Sequence, residues 1–301
     1  MLETLIIGAG IAGMTSAMYA SRKRMKYRII SADTGGQFMV SGEVLNYPGI
    51  VKTTGMDFLK VMQEQMEYND VKIEYATVHK IEKIDGGWKV ITDQEEIETQ
   101  TVILATGARA RELGTPGEKE FDKMGVTYCA ICDGPLFKDK DVAVIGGGNA
   151  ALEAVDFMKD IANKIYLVMR GEHYRGYEYL IEKVENNPKV EIIKNHPIKE
   201  IKGEKFVNQL ITYDKSSEEE RVLDVSGIFI EIGRVPNTDF LAETLDLDDH
   251  GHIKIDANLH TSQEGIYAAG DCAAGTEFQY VISAGQGCKA LIEAARHVTK
   301  R

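Results

Sequence analysis

The 301-residue sequence predicts an α/β protein with two three-layer domains, the second inserted in the first. An apolar strand, a glycine-rich turn and an apolar helix follow one another twice, within residues 4–23 and 142–159. A late strand that ends in glycine has no glycine-rich turn of its own, so we expect it to return to the first domain. We therefore assign residues 1–113 and 240–301 to the first domain and residues 114–239 to the inserted domain.

The first domain begins with a predicted strand over residues 4–7, a helix over 14–23 and a strand over 27–30. Two further strands, 78–84 and 88–92, are separated by the sequence DGG, which is a hairpin signal. A buried strand then covers residues 102–107, which end in glycine.

The inserted domain repeats this plan. Its predicted elements are a strand over 142–145, a helix to about 159, a strand over 165–168, a meander over 198–222 and a strand over 228–233. Breaker-rich segments at residues 114–117 and 236–237 suit the crossings between domains. The chain then returns with the strand at 265–271 and a helix over about 284–297. Two Rossmann-like dinucleotide-binding modules are therefore expected.

The first glycine turn, GAGIAG at residues 8–13, predicts a nucleotide site. Gly8 permits the tight turn, Gly10 permits a pyrophosphate to approach the backbone, and Gly13 permits close helix packing. Asp33 follows twenty residues after Gly13, where a carboxylate can accept from a ribose hydroxyl. This context is more specific than a lone GxGxxG.

The second turn, GGGNAA at residues 146–151, matches GxGxxA and predicts another nucleotide site. The ribose end is ambiguous. After the following strand, Arg170 and Arg175 are cations that could hold a 2′-phosphate, whereas Glu172 could hold a 2′-hydroxyl instead.

Cys129 and Cys132 form a CxxC pair between the two turns. Alone, this spacing fits either a small disulfide ring or half of a zinc site. The flanking nucleotide turns favour redox chemistry. Cys272 and Cys288 lack a second CxxC spacing, so we predict no metal.

The charge balance excludes a general nucleic-acid binder. Forty-seven acidic against 35 basic side chains give a net charge of −12, the wrong sign for phosphate binding. No signal segment or long apolar run is seen, and four cysteines suit a reducing compartment. We expect a cytoplasmic protein without nucleic-acid or membrane partners.

Seven motifs lie in a fixed order along nearly the full chain: GxGxxG at 8–13, GGQ at 35–37 with NYPG at 46–49, ATG at 105–107, CxxCD at 129–133, GxGxxA at 146–151, GRVPN at 233–237, and AGD at 269–271 followed by Gln279 and AG at 284–285. In this order they resemble the low-molecular-weight thioredoxin reductases, FAD-containing pyridine nucleotide-disulfide oxidoreductases of bacteria and archaea. The resemblance implies thioredoxin-disulfide reductase activity, a homodimer built through the FAD domains, and docking of thioredoxin or a thioredoxin-like protein on the inserted domain.

The resemblance also implies residue roles. FAD would be bound by Gly8, Gly10, Ile11, Ala12, Gly13, Asp33, Gly36, Gln37, Asn46, Val78, Thr106, Gly107, Gly270, Asp271, Gln279, Tyr280 and Val281. The electron donor would be bound by Gly146, Gly148, Asn149, Ala150, Ala151, Arg170, Arg175 and Arg234. Cys132 would face the flavin, Cys129 would attack the disulfide of the protein substrate, and Asp133 would supply or take up the proton. The alternative for Asp133 is a helix N-cap.

The donor is the point at which this chain departs from the family. NADPH-specific members carry His-Arg-Arg where this chain has Met169, Arg170 and Gly171, so one cation of the phosphate clamp is missing. We rank NADPH first, then NADH, then reduced deazaflavin or ferredoxin. A non-catalytic flavoprotein redox sensor is the alternative of another class. Because the thiols and the donor site share one domain, we predict that the inserted domain rotates between two states during turnover.

Overall fold

Apolar runs of the sequence form the central strands of two parallel sheets. The computed structural model describes residues 1–275 and 277–299. The chain forms two compact units, one of residues Met1–Arg109 with the chain from Val235 onwards, the other of residues Ala110–Arg234. The sequence places both crossings a few residues later. The assignment of FAD and donor to these units stays a prediction.

The first part of the chain contains nine strands and two longer helices within the described residues. Their bounds are β1 (Leu2–Ile7), α1 (Ile11–Arg22), β2 (Tyr27–Ser31), β3 (Glu43–Val44), β4 (Thr53–Thr54), α2 (Gly55–Tyr68), β5 (Ile73–Tyr75), β6 (Val78–Ile84), β7 (Gly87–Thr92), β8 (Glu96–Leu104) and β9 (Ala108–Ala110). A short 3-10 helix, Gly36–Val40, follows β2.

The second unit contains the next eight strands. The bounds are β10 (Val126–Thr127), α3 (Ala130–Asp133), β11 (Asp141–Ile145), α4 (Asn149–Met158), β12 (Lys164–Val168), α5 (Glu178–Glu185), β13 (Val190–Ile193), β14 (Ile198–Gly203), β15 (Val207–Tyr213), β16 (Glu220–Asp224) and β17 (Gly227–Ile230). The chain then forms β18 (Arg234–Pro236), β19 (Ile266–Ala268) and α6 (Tyr280–Thr299). The last helix therefore begins four residues before the predicted Ala284, at Tyr280.

The sheet of the first unit has the order β5-β2-β1-β8-β7-β6, and β19 also pairs with β8. Strands β2, β1, β8 and β19 run parallel, whereas β6, β7 and β8 are antiparallel neighbours. The predicted hairpin corresponds to β6 and β7. The late strand β19 joins the first sheet, as expected.

Both faces of this sheet are covered, because alternate residues of β1 belong to different cores. Ile6 packs with Met14 of α1 and Leu291 of α6. Leu5 packs on the other face with Trp88. An all-apolar strand is the pattern expected when both faces of a parallel strand are buried.

The second unit repeats this layering. Its five parallel strands have the order β10-β17-β11-β12-β13, and β14, β15 and β16 form a separate antiparallel sheet. Val144 of β11 packs with Val155 of α4, whereas its neighbour Ala143 packs with Leu210 of the antiparallel sheet. The predicted α/β class with two Rossmann-type sheets is confirmed.

Candidate nucleotide and disulfide sites

The first glycine turn, residues 8–13, connects β1 to α1. Gly8 has a φ of 110°, and a Cβ there would lie 2.2 Å from the carbonyl oxygen of Ala105. A Cβ at Gly13 would lie 1.8 Å from the carbonyl oxygen of Gly8. A Cβ at Gly10, however, would meet no atom within 4 Å. Open space therefore lies where the N–H groups of the first helical turn lack intrahelical partners and can bind a phosphate.

The ribose end of this site lies at the end of β2. Asp33 is exposed two residues after that strand. The N–H of Ala9 donates to Ser31 Oγ over 3.1 Å, which ties the end of β2 to the glycine turn. Ile11 and Ala12 begin α1 and are buried beneath the turn. The structure thus places Asp33 next to the turn.

Hydrogen bonds between distant parts of the chain join another group of the predicted FAD residues. Asn46 Nδ2 donates to Gln279 Oε1 over 2.9 Å. Gln37 Nε2 donates to the carbonyl oxygen of Ala108 over 2.7 Å, and the Tyr280 hydroxyl donates to the carbonyl oxygen of Gln37 over 3.0 Å. The structure therefore brings the start of α6 against the segment that follows β2.

The strand-to-glycine endings complete this group. A Cβ at Gly270 would lie 3.3 Å from the Cβ of Ala12, so the end of β19 approaches the start of α1. The Ser283 hydroxyl donates to Asp271 Oδ1 over 3.3 Å, which connects that ending to α6.

Two further segments lie close to the turn. A Cβ at Gly36 would lie 3.5 Å from the Cα of Gly10. Asn237 donates from its backbone to the carbonyl oxygen of Gly107 and from Nδ2 to that of Thr106, each over 2.9 Å. The open cradle at Gly10 and its long, polar border fit a dinucleotide cofactor such as FAD.

Two predicted residues are placed less directly. Val78 begins β6, where it pairs with Thr92 and packs with Leu5 on the face of the sheet opposite α1. Val281 lies in the first turn of α6 and is exposed. Their contacts with FAD stay predictions.

The second glycine turn has the same geometry as the first. Gly146 has a φ of 143°, and a Cβ there would lie 2.2 Å from the carbonyl oxygen of Glu231 and 2.9 Å from the Cβ of Ala151. Gly148 has open space, since the nearest atom to its Cβ position is the carbonyl oxygen of Arg175 at 4.0 Å. Asn149 begins α4. The turn therefore fits a phosphate group at the start of α4.

The segment of residues 175–177 is tied to this turn by its backbone. The N–H of Arg175 donates to the carbonyl oxygen of Gly147 over 2.7 Å, and the N–H of Tyr177 donates to Asn149 Oδ1 over 2.8 Å. The Asn149 side chain thus accepts a backbone hydrogen bond of this segment.

The residues of the expected phosphate clamp differ in their exposure to solvent. Arg170 and Arg175 are exposed, and Arg234 is half-buried. Met169, at the position of the family histidine, is buried in the core of the second unit. A Cβ at Gly171 would meet no atom within 4 Å, so a larger side chain has room there. Ala150 is exposed in the first turn of α4.

Cys129 and Cys132 are joined by a disulfide bond, with their Cα atoms 5.3 Å apart. The N–H of Cys132 donates to Cys129 Sγ over 3.1 Å. Cys129 is buried and Cys132 is exposed. The two cysteine residues therefore differ in accessibility in the oxidised protein.

Asp133 accepts a short hydrogen bond from the hydroxyl of Thr127. Its backbone N–H donates to the carbonyl oxygen of Cys129 over 3.2 Å. Asp133 also precedes the 3-10 helix Gly134–Phe137, but its side chain makes no capping hydrogen bond there. The Asp133 carboxylate therefore does not cap this helix.

Sequence reasoning missed Glu118, whose side chain is almost wholly buried. Its carboxylate accepts from the N–H groups of Leu113 and Gly114, each over 2.7 Å, and from the hydroxyl of Tyr128 over 2.9 Å. Burial and the Glu118 charge raise the pKa of Tyr128, the residue before Cys129. The carboxylate thus connects the start of the second unit to the disulfide segment.

Sequence reasoning also missed Glu231, the residue after β17. Burial raises the pKa of its carboxyl group to about 7; Arg234 and a hydrogen bond from the N–H of Ala130 oppose the shift, and Glu153 adds to it. A glutamate after an apolar strand gives no local sequence signal that its carboxyl group is shielded from water or contacts Ala130. The GxGxxA motif marks Gly146, but not the strand end that packs against it.

Residues 1–275 and 277–299 contain neither a cluster of metal ligands nor a membrane-spanning helix. No group of three or more histidine, cysteine, aspartate or glutamate side chains in this part of the chain could hold a metal ion. None of its helices combines the length and the apolar character that crossing a membrane requires. The expected absence of a metal stays a prediction.

One family model and several known proteins match nearly the whole chain. The family model of the pyridine nucleotide-disulphide oxidoreductases matches residues 2–295. A protein named NADH dehydrogenase from Ferdinandcohnia aciditolerans is 37% identical over 293 residues, which cover 97% of this chain and 56% of the relative. The chain thus spans little more than half the length of that relative.

Other relatives match along their full length. A thioredoxin reductase from Spironucleus barkhanus is 36% identical over 296 residues, 97% of each chain. The crystal structure of Lactococcus lactis thioredoxin reductase has a TM-score of 0.93 and 32% identity, with 100% of both chains covered.

Proposed function

We propose that this chain, which belongs to the pyridine nucleotide-disulphide oxidoreductase family, is a thioredoxin-disulfide reductase. It would pass electrons from a reduced donor through FAD to the Cys129–Cys132 disulfide and then to thioredoxin or a thioredoxin-like protein. The observation that carries the proposal is the closed CxxC disulfide in the same unit as the second glycine turn. Full-length relatives named thioredoxin reductase support it.

The first unit would hold FAD. Its pyrophosphate would lie in the open space at Gly10, and Asp33 would accept from the ribose. Asn46, Gln37 and Gln279, which hydrogen bonds hold in place, would border the rest of the cofactor. When bound, FAD supplies the carrier that accepts an electron pair from the donor and releases it to a disulfide.

The chain's own groups then complete the redox step. Two electrons break the sulfur–sulfur bond of Cys129 and Cys132, and two protons convert the resulting thiolates to thiols. Asp133, held by Thr127 beside the CxxC segment, would give or take one of these protons.

The dithiol is reoxidised by the protein substrate. A Cys129 thiolate would attack the thioredoxin disulfide and release one thioredoxin thiolate. The Cys132 thiolate would then attack Cys129 Sγ of the mixed disulfide, re-form the Cys129–Cys132 bond and release the second thioredoxin thiolate. The electron pair and two protons then reside on the thioredoxin dithiol. Because Cys129 is buried in the oxidised protein, it must become accessible before it attacks.

For the donor we propose NADPH first, then NADH, then reduced deazaflavin or ferredoxin. Exposed Arg170 and Arg175 support a 2′-phosphate. The missing cation at Gly171 and the relative named NADH dehydrogenase support NADH.

The test is an anaerobic titration of the flavin-loaded protein with NADPH, NADH and reduced deazaflavin in turn. Loss of flavin absorbance identifies the donor, and catalytic enzyme is then supplied with that donor and oxidised thioredoxin. We expect many turnovers. Reduction of only one equivalent of thioredoxin would contradict the proposal and favour a redox sensor.

Cys132→Ser provides the matched control, because it leaves both glycine turns intact. Its flavin should still bleach with the donor, while thioredoxin reduction should fall to background. Thioredoxin turnover by this variant would show that the disulfide is not on the path.

We also propose a cytoplasmic homodimer built through the first unit. Light scattering on the purified flavoprotein measures the mass in solution, and a monomer mass would contradict this assembly.

A further inference from the structure

Glu231 lies where the second glycine turn and the CxxC segment meet. Its backbone N–H donates to the carbonyl oxygen of Ile145 over 2.8 Å. Its carbonyl oxygen lies so close to Gly146 that a Cβ there would come within 2.2 Å. The backbone of Glu231 is therefore fixed against the second glycine turn.

The carboxyl group of Glu231 accepts from the N–H of Ala130, the residue next to Cys129. Cys129 Sγ accepts from the N–H of Cys132 in the same short helix. Asp133, the other acidic group of this segment, has an oxygen occupied by Thr127. Glu231 is thus a second carboxyl group in direct contact with the redox segment.

The charges around Glu231 are mixed. Arg234 favours its ionised form, whereas Glu153 of α4 and burial oppose it. With the pKa of Glu231 raised to about 7, its carboxyl group changes protonation within the physiological range.

We propose that Glu231 is a positioning residue that shares a proton with the Cys129 thiol once the disulfide has been reduced. Reduction by a dithiol or by the reduced flavin breaks the sulfur–sulfur bond with two electrons and takes up two protons. One of these protons resides on Glu231 when Cys129 is a thiolate, and on Cys129 when Glu231 is a carboxylate. The two groups then titrate as a coupled pair.

The place of this pair in turnover rests on the proposed function, whereas its existence does not. An ionised Glu231 disfavours the neighbouring thiolate, and a protonated Glu231 permits it. With Glu231 protonated, the Cys129 thiolate forms at a lower pH than it would beside an ionised Glu231. When the disulfide forms again, Glu231 releases its proton.

The test measures alkylation of the thiols in the flavin-loaded protein. The protein is reduced anaerobically with dithiothreitol, freed of excess reagent and treated with iodoacetamide from pH 5.5 to 9. Peptide mass mapping follows Cys129 separately from Cys132 and Cys288. For the native chain we expect two inflections in the Cys129 rate, one of them near pH 7. A single inflection would overturn the proposal, without any variant being needed.

The matched variant is Glu231→Gln, which keeps an oxygen for the N–H of Ala130. We expect the inflection near pH 7 to vanish and the remaining one to move down by about half a pH unit to one unit, since a negative neighbour is lost. Glu178→Gln, an equal charge change on the exposed start of α5, should leave the native profile in place. Superimposable profiles of Glu231→Gln and the native protein would overturn the proposal.

Thioredoxin turnover, measured separately, distinguishes the two hypotheses. If Glu231→Gln shifts the alkylation profile but the native protein does not turn over thioredoxin, the coupled pair is supported and the proposed reductase activity is refuted. If thioredoxin is turned over but Glu231→Gln leaves the alkylation profile unshifted, the reductase activity is supported and the coupled pair is refuted.

Discussion

At the scale of single residues, Gly171 gives the most direct test of the proposed electron donor. Its Cβ position is open, and Arg170 and Arg175 are exposed nearby in sequence. We expect Gly171→Arg to raise the kcat/KM ratio of NADPH over NADH by roughly ten- to a hundred-fold, because one charged hydrogen bond to the 2′-phosphate contributes about 1.5–3 kcal/mol.

Gly171→Ala is the control, since it enters the same space without charge and should leave the ratio within about two-fold of native. The measurement is steady-state kinetics with both nucleotides. An arginine variant with the native ratio would mean that the 2′-phosphate does not approach residue 171.

The residues that sequence reasoning missed share one property. Glu118 is almost wholly buried and Glu231 is half-buried, and the carboxyl group of each has partners on other segments of the chain. Cys129, Cys132 and Asp133 were predicted from the sequence because the CxxCD motif is local, and their observed contacts lie within seven residues. A surface glutamate and a buried glutamate look alike in a sequence, so the proton-sharing role of Glu231 needed the fold.

At the scale of elements, two glycines of the first turn are required for different steric reasons. We expect Gly13→Ala to prevent correct folding of the first unit, because its Cβ would lie 1.8 Å from the carbonyl oxygen of Gly8. Gly10→Ala should fold, because its Cβ meets no atom within 4 Å, yet lose FAD because the methyl group enters the pyrophosphate space.

Circular dichroism and the ratio of flavin to protein absorbance check both variants. Native flavin content in Gly10→Ala would place the pyrophosphate elsewhere.

The elements themselves were predictable where their signals are local. The strands β1, β6, β7 and β11 follow from apolar patterning and from the DGG turn. The two-residue strand β10 has no such signal, because it is too short to show a period. Helix α6 begins earlier than expected because Tyr280 packs on Phe38, with ring centroids 4.8 Å apart, a contact across 242 residues of sequence.

At the scale of the whole molecule, the predicted rotation of the inserted unit can be tested by restraint. We expect a reversible crosslink between the units, anchored near Gly114 or Pro236, to stop thioredoxin turnover while FAD stays bound. One half-reaction, either flavin reduction by the donor or thiol formation, should persist in the crosslinked protein.

Stopped-flow absorbance measures the two half-reactions separately, and reduction of the crosslink should restore turnover. Full turnover in the crosslinked state would refute the rotation.

The interrupted first unit also bears on how the protein is made. Strand β19 pairs with β8, and α6 approaches α1 so closely that a Cβ at Gly287 would lie 2.1 Å from the carbonyl oxygen of Ala12. Both elements leave the ribosome after the whole inserted unit, which can close its own sheet once β17 has emerged. Until β19 and α6 have been synthesised, part of the core of the first unit stays exposed. A chain released before β19 would therefore contain a folded second unit without a complete flavin site, and yellow colour would report that β19 and α6 have been synthesised.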